Sequence, residues 1–159
     1  MTPVRRRIYI ETTIPSFYHE TRVEPEMVAR REWTRLWWAK AEREHEVVTS
    51  EAVYDELSRG EYEIRDACLE LLKGLPLLAI LPPVAEIVEG YFAHQLMPRD
   101  PAGDALHLAL ASYHRCDFLV TWNCRHLANA NKFDHIRRVN GIFGLHVPSL
   151  VTPLELLED

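Results

Sequence analysis

Five short runs, Arg7–Ile10, Glu46–Thr49, Leu77–Leu81, Asp117–Thr121 and Pro148–Val151, read as strands, and stretches of helical period separate them. This alternation is the strongest constraint on the fold. Parallel strands cannot be joined by a tight turn and need a crossover of a dozen or more residues, usually a helix. Segments at about 25–44, 51–59, 61–73, 83–96, 102–115 and 132–140 supply such crossovers. The expected product is an α/β fold: a three-layer single domain over residues 1–159, with a parallel sheet of about five strands covered by helices on both faces. No internal repeat or linker interrupts it.

Several boundaries carry their own chemistry. Ser50 stands where an N-cap is expected, and Gly60 where a left-handed residue would end a helix. Asp100-Pro101 pairs a capping carboxylate with a proline at the first helical position. Thr152-Pro153-Leu154-Glu155 reads as a capping box that opens a short terminal helix.

Composition narrows the class of protein. With 47% apolar and 26% charged residues, the chain has the balance of an ordinary globular domain. Its longest apolar stretch, Leu75 to Ala85, is broken by Pro76, Pro82 and Pro83 and falls short of the ~20 residues that span a bilayer. A soluble, cytoplasmic protein with no membrane partner is expected. The three cysteines, Cys68, Cys116 and Cys124, show no C-x-x-C spacing, so neither a disulfide framework nor a structural zinc site is indicated. A net charge of -6 argues against non-specific nucleic-acid binding by the whole surface but leaves room for a local basic patch.

The chemistry concentrates in a few acids. Glu11 follows Ile8-Tyr9-Ile10 at a strand's end, and Asp104 stands at the start of an apolar helix. Open α/β sheets gather ligands in the crevice at the carboxyl ends of their strands. Carboxylates brought together there are costly without a cation, which points to a metal site. In the helix after Ser50, Val53, Tyr54 and Leu57 share the buried stripe, Glu56 lies at its edge and Asp55 on the far side. Glu56 is therefore the better candidate, while Glu51 simply complements the helix dipole. Asp100 has a capping role, but none explains Asp104. His107 could orient Asp104, although a packed or exposed neutral histidine is the plainer reading. Asn123, just past the fourth strand, offers an amide oxygen, a weaker ligand for a hard cation than a carboxylate. Thr12, Thr13 and Thr121 could bond a phosphate or a metal-bound water.

Four segments in order, Ile8 to Ser16, Val48-Thr49-Ser50 with Asp55-Glu56-Leu57, Asp104 to Ala111, and Leu119 to Asn123, resemble PIN-domain nucleases, most closely VapC-like toxins of toxin–antitoxin pairs. The resemblance implies first and fourth strands side by side, gathering distant acids into one pocket, and divalent-metal-dependent endoribonuclease activity on RNA. Glu11 matches the first acid, Glu56 the second and Asp104 the third, while Asn123 falls where a fourth acid is common. Glu11 is one methylene longer than the usual aspartate, and Asn123 removes a charge. The alternative is a catalytically weak or inactive PIN-like module that binds RNA or protein. A phosphatase would need a nucleophilic aspartate where Glu11 stands.

Oxygen ligands favour Mg²⁺ or Mn²⁺ over zinc. Glu11 and Asp104 are expected to hold the principal ion, with Glu56 and Asn123 acting through water or a second ion. The resemblance also implies a small antitoxin protein as partner and a homodimer. Trp33, Leu36 and Trp37 form a helical stripe beside Trp38, expected mainly as core and partly as interface. Arg5-Arg6-Arg7, Arg22, Arg30, Arg31 and Arg35 could position RNA phosphates, and Cys124-Arg125-His126 reads as ordinary loop.

Overall fold

The structure, a computed structural model, describes residues 4–99 and 103–157. Five strands, β1 (Arg7–Ile10), β2 (Glu46–Ser50), β3 (Leu77–Leu78), β4 (Phe118–Val120) and β5 (Ser149–Val151), form one parallel sheet in the order β3-β2-β1-β4-β5. Among the described residues, seven helices accompany it: α1 (Thr13–Tyr18), α2 (Pro25–Glu44), α3 (Glu51–Leu57), α4 (Arg65–Leu72), α5 (Pro82–Ala93), α6 (Gly103–Tyr113) and α7 (Ala130–Ile142). A 3₁₀ turn, Pro153–Leu156, follows β5.

Ile8, Tyr9 and Ile10 are all at most 1% exposed, so the central strand is covered on both faces. This is why β1 reads as a continuous apolar run rather than an alternating one. The chain builds outward from β1 through β2 to β3, then crosses back to place β4 on the other side of β1. The switch point of the sheet therefore lies between β1 and β4, and the residues that follow these two strands face one crevice.

Several local expectations change. The strand expected over Leu77–Leu81 pairs only at Leu77 and Leu78, because Pro82 and Pro83 open α5 and the chain must leave the sheet to reach them. Helix α1, only six residues long with Pro15 in its first turn, shows no periodicity from which sequence reading could find it. Ser50 precedes α3 but makes no capping bond; its hydroxyl is committed to Tyr9. Leu36 is 61% exposed, because the buried stripe of α2 runs Thr34, Trp37, Trp38, Ala41. Gly60 has the left-handed φ of 75°. The capping box at Thr152 is present, although it opens a 3₁₀ turn rather than an α-helix. Asp100-Pro101 lies outside the described residues.

Candidate active site

Glu11 immediately follows β1, and the chain turns through Thr12 straight into α1. That turn satisfies one carboxylate oxygen: Thr13 donates its backbone N–H to Oε1 at 2.9 Å, and its hydroxyl donates to the same atom. The Thr13 hydroxyl also accepts the backbone N–H of Trp122 at 2.8 Å. The ends of β1 and β4 are thereby tied together at the switch point. Glu11 is 3% exposed.

Asp104 enters from the first turn of α6. Its Oδ1 accepts a hydrogen bond from Asn123 Nδ2 at 3.0 Å, and its Oδ2 is buried without a partner. Asn123 is oriented by its own loop, since its Oδ1 accepts the backbone N–H of Arg125 at 3.2 Å and of His126 at 3.0 Å. Both lone pairs of that oxygen are engaged. The amide thus presents N–H, rather than oxygen, to the neighbouring carboxylate.

Glu56 arrives from α3 and accepts from the Thr12 hydroxyl at 2.6 Å and from His107 Nε2 at 2.7 Å. His107 is buried at 1% exposure, and its Nδ1 shares a 2.7 Å bond with the Tyr9 hydroxyl, itself 2.8 Å from Ser50 Oγ. The histidine expected as a packed or exposed neutral residue is the hub of a buried chain. The threonines expected for phosphate or metal-bound water hold site groups instead: Thr12 holds Glu56, Thr13 holds Glu11, and Thr121 accepts the backbone N–H of Asn123 at 2.8 Å.

The structure brings Glu11, Glu56, Asp104 and Asn123 to one cleft of about 580 Å³, with Asp55 and Arg59 at its lining. Arg59 is the one Lys or Arg side chain among the described lining residues. Burial pushes the Glu11 carboxyl up to about 7 against the opposing influence of His107 and Thr13. Asp104 is raised by burial, and the neighbouring Glu56 adds to the shift. Burial works against charge on the other two groups as well. There the hydrogen bond and charge shared by His107 and Glu56 prevail, lifting the imidazole above its ordinary value and holding the carboxyl below its own.

Among the described residues, no three His, Cys, Asp or Glu side chains converge into a ready-made ion cage. The physical reason is visible in the bonds above, which draw Glu11 toward Thr13 and Glu56 toward His107. The donor set still suits a hard divalent ion, because Mg²⁺ keeps several waters and needs only one or two carboxylates. The unpartnered Asp104 Oδ2 is such a donor, costly to bury unless something meets it.

Other features have structural uses. Arg30 pairs with Glu26 at 2.8 Å and covers the Trp122 ring at 5.1 Å, Arg22 pairs with Glu20 at 2.7 Å, and Arg35 donates to the Tyr18 carbonyl at 2.8 Å. Trp33 stacks on Trp122 with centroids 6.1 Å apart. No described helix is long and apolar enough to cross a membrane.

A parallel sheet whose carboxyl edge gathers Glu11 from the end of β1, Glu56 from α3 and Asp104 from α6 defines an α/β protein with an acidic cleft at its switch point. The sequence matches the PIN domain model over residues 18–132, and the chain belongs to the PIN domain family. PIN domains are generally nucleases. The matched range includes Glu56, Asp104 and Asn123 and begins after Glu11. No curated protein is similar enough in sequence to count as a relative.

Proposed function

We propose that this chain is an endoribonuclease that uses Mg²⁺ or Mn²⁺ to hydrolyse RNA phosphodiester bonds. The observation that carries the reading is the buried, unpartnered Asp104 Oδ2 in a cleft that also contains Glu11 and Glu56. Glu11 and Asp104 would hold the ion. A divalent ion supplies activation of water and relief of charge on the attacked phosphate. Thr13 and Asn123 fix the orientation of the two principal carboxylates, and Thr12 and His107 hold that of Glu56 beside them. Arg59 offers a cation to a phosphate oxygen of the substrate.

Purified protein is expected to cut structured RNA, to lose that activity in EDTA and to regain it with Mn²⁺. Undiminished cleavage in EDTA would overturn the metal dependence. A second reading, a PIN-like module without catalysis that binds RNA or protein, is favoured by the amide of Asn123 in place of a charge. Calorimetry separates the two, since absence of Mn²⁺ binding at millimolar concentration would favour the module.

The likeness of the four motifs to VapC-like toxins supports a cytoplasmic toxin role, a homodimer and a small antitoxin protein as inhibitor. Growth arrest on expression, relieved by co-expression of a small adjacent reading frame, is the expected result.

Gly103 supplies a sharp check on the Glu56 geometry. A methyl group there would stand 2.5 Å from Glu56 Oε1 and 3.2 Å from its Cδ. The carboxylate is the flexible end of a side chain, so it would move instead of the helix, while alanine improves helix propensity by up to about 1 kcal/mol. Gly103→Ala is expected to melt within a few degrees of the parent yet to cleave RNA at least about tenfold more slowly. A large loss of melting temperature would refute this local account.

A further inference from the structure

Glu56 poses a positional problem. Its side chain is about a quarter exposed on a short helix, α3, yet its carboxylate must hold one orientation in an open cleft if it is to act there. Thr12 constrains Oε2 from one side. The opposite oxygen meets His107 Nε2 at 2.7 Å, from a ring that is wholly inside the protein.

We infer that His107 is the positioning residue for Glu56, backed by a buried relay through Tyr9 to Ser50. As a working part of catalysis this rests on the nuclease reading; as a statement about where Glu56 points it stands on geometry alone. The carboxylate can only accept, so Nε2 carries the hydrogen. The Tyr9 hydroxyl can give to or take from Nδ1, and the Ser50 hydroxyl can complete either arrangement. The ring is therefore held at both nitrogens whatever its charge. The relay joins α6, β1 and the end of β2, three elements of the rigid interior, to a group on α3 at the cleft. An imidazole fits because its two nitrogens point in opposed directions. A purely structural role would be filled as well by an apolar side chain, and would not require the outer end of the chain to be a carboxylate in the pocket.

Glutamine and asparagine divide the two functions of the ring. Glutamine places an amide N–H where Nε2 stood and can still donate to Glu56. Asparagine reaches only the Nδ1 position and can meet Tyr9 alone. Crystal structures of His107→Gln and His107→Asn are expected to show the Glu56 carboxylate in place in the first and displaced in the second. Retention of its position in both would overturn the assignment.

Kinetics give the second arm. His107→Asn should lower kcat for RNA cleavage by about a hundredfold with KM little changed, and His107→Gln should recover most of that loss. Melting temperatures of the two variants should fall by similar amounts, so that stability cannot explain the difference. Equal kcat values for the two variants would sink the positioning role. If the parent protein neither binds Mn²⁺ nor cleaves RNA while Glu56 still shifts only in the asparagine variant, the nuclease reading fails and the positional assignment is upheld.

Discussion

Replacing Asp104 with asparagine is expected to reduce RNA cleavage by about a thousandfold or more while leaving the protein as stable as before, or more so. The catalytic loss follows from charge. A carboxylate that holds a divalent ion contributes several kcal/mol of stabilisation to the transition state, and each 1.36 kcal/mol is a factor of ten in rate. The stability gain follows from burial. Asp104 is 8% exposed, its Oδ2 has no partner, and burial already raises its pKa. An amide at that position keeps an oxygen to accept from Asn123 and removes the buried charge. Cleavage assays in Mn²⁺ alongside thermal melts in EDTA would measure both halves. Activity equal to the parent would remove Asp104 from the mechanism, and a large drop in melting temperature would mean that the aspartate is structural.

The second large effect is a pH dependence of the metal-free protein. The Glu11 carboxyl titrates near 7 in the folded state against 4.5 unfolded, chiefly because it is buried. Between those values the native state binds more protons than the unfolded one, so stability must fall as pH rises. The shift corresponds to roughly 3 kcal/mol, lost between about pH 4.5 and 7 and not regained above. For a chain of this size that is on the order of 5–10 °C of melting temperature. His107 and Asp104, both raised, act in the same direction, whereas Glu56, lowered, adds stability only as pH climbs through the acidic range. Melts in EDTA from pH 5 to 8 should therefore slope downward, and Glu11→Gln should flatten most of the slope. Mn²⁺ should restore the parent at pH 8, because a cation that binds only the folded state favours it by mass action. An unchanged slope in Glu11→Gln would show that Glu11 is not the titrating group.

These two results depend on residues that sequence reading can reach. Glu11 and Asp104 were visible because strand ends and helix starts have local signatures, and because the order of elements in an open parallel sheet sends them to one edge. Glu56 was separable from Asp55 by helical period alone, although Asp55, read as facing away, also borders the cleft. The burial of His107 is within reach of sequence reading, but its bond to Glu56 is not. A histidine three residues after Asp104 on an apolar helix has no local sign of its partner, and the carboxylate that occupies its Nε2 comes from a helix on another part of the chain. Asn123 is legible as a residue of interest, but which side of its amide meets Asp104 is not, since only the loop's own backbone donors dictate which way it turns.

The division has a common physical cause. Period, capping and turn chemistry are short-range, and they were enough to establish the parallel α/β architecture, the extent of α2 and β1, and the acids that could meet at the sheet's carboxyl edge. Hydrogen bonds made by side chains require separations held to within a few tenths of an ångström between elements far apart in sequence. Those are set by strand register and helix packing, which place Tyr9 beside His107, Thr12 beside Glu56 and Trp122 beside Thr13. The sequence alone determined which acids could meet, and packing decided that each carboxylate is held by a particular neighbour, with one buried oxygen of Asp104 left over.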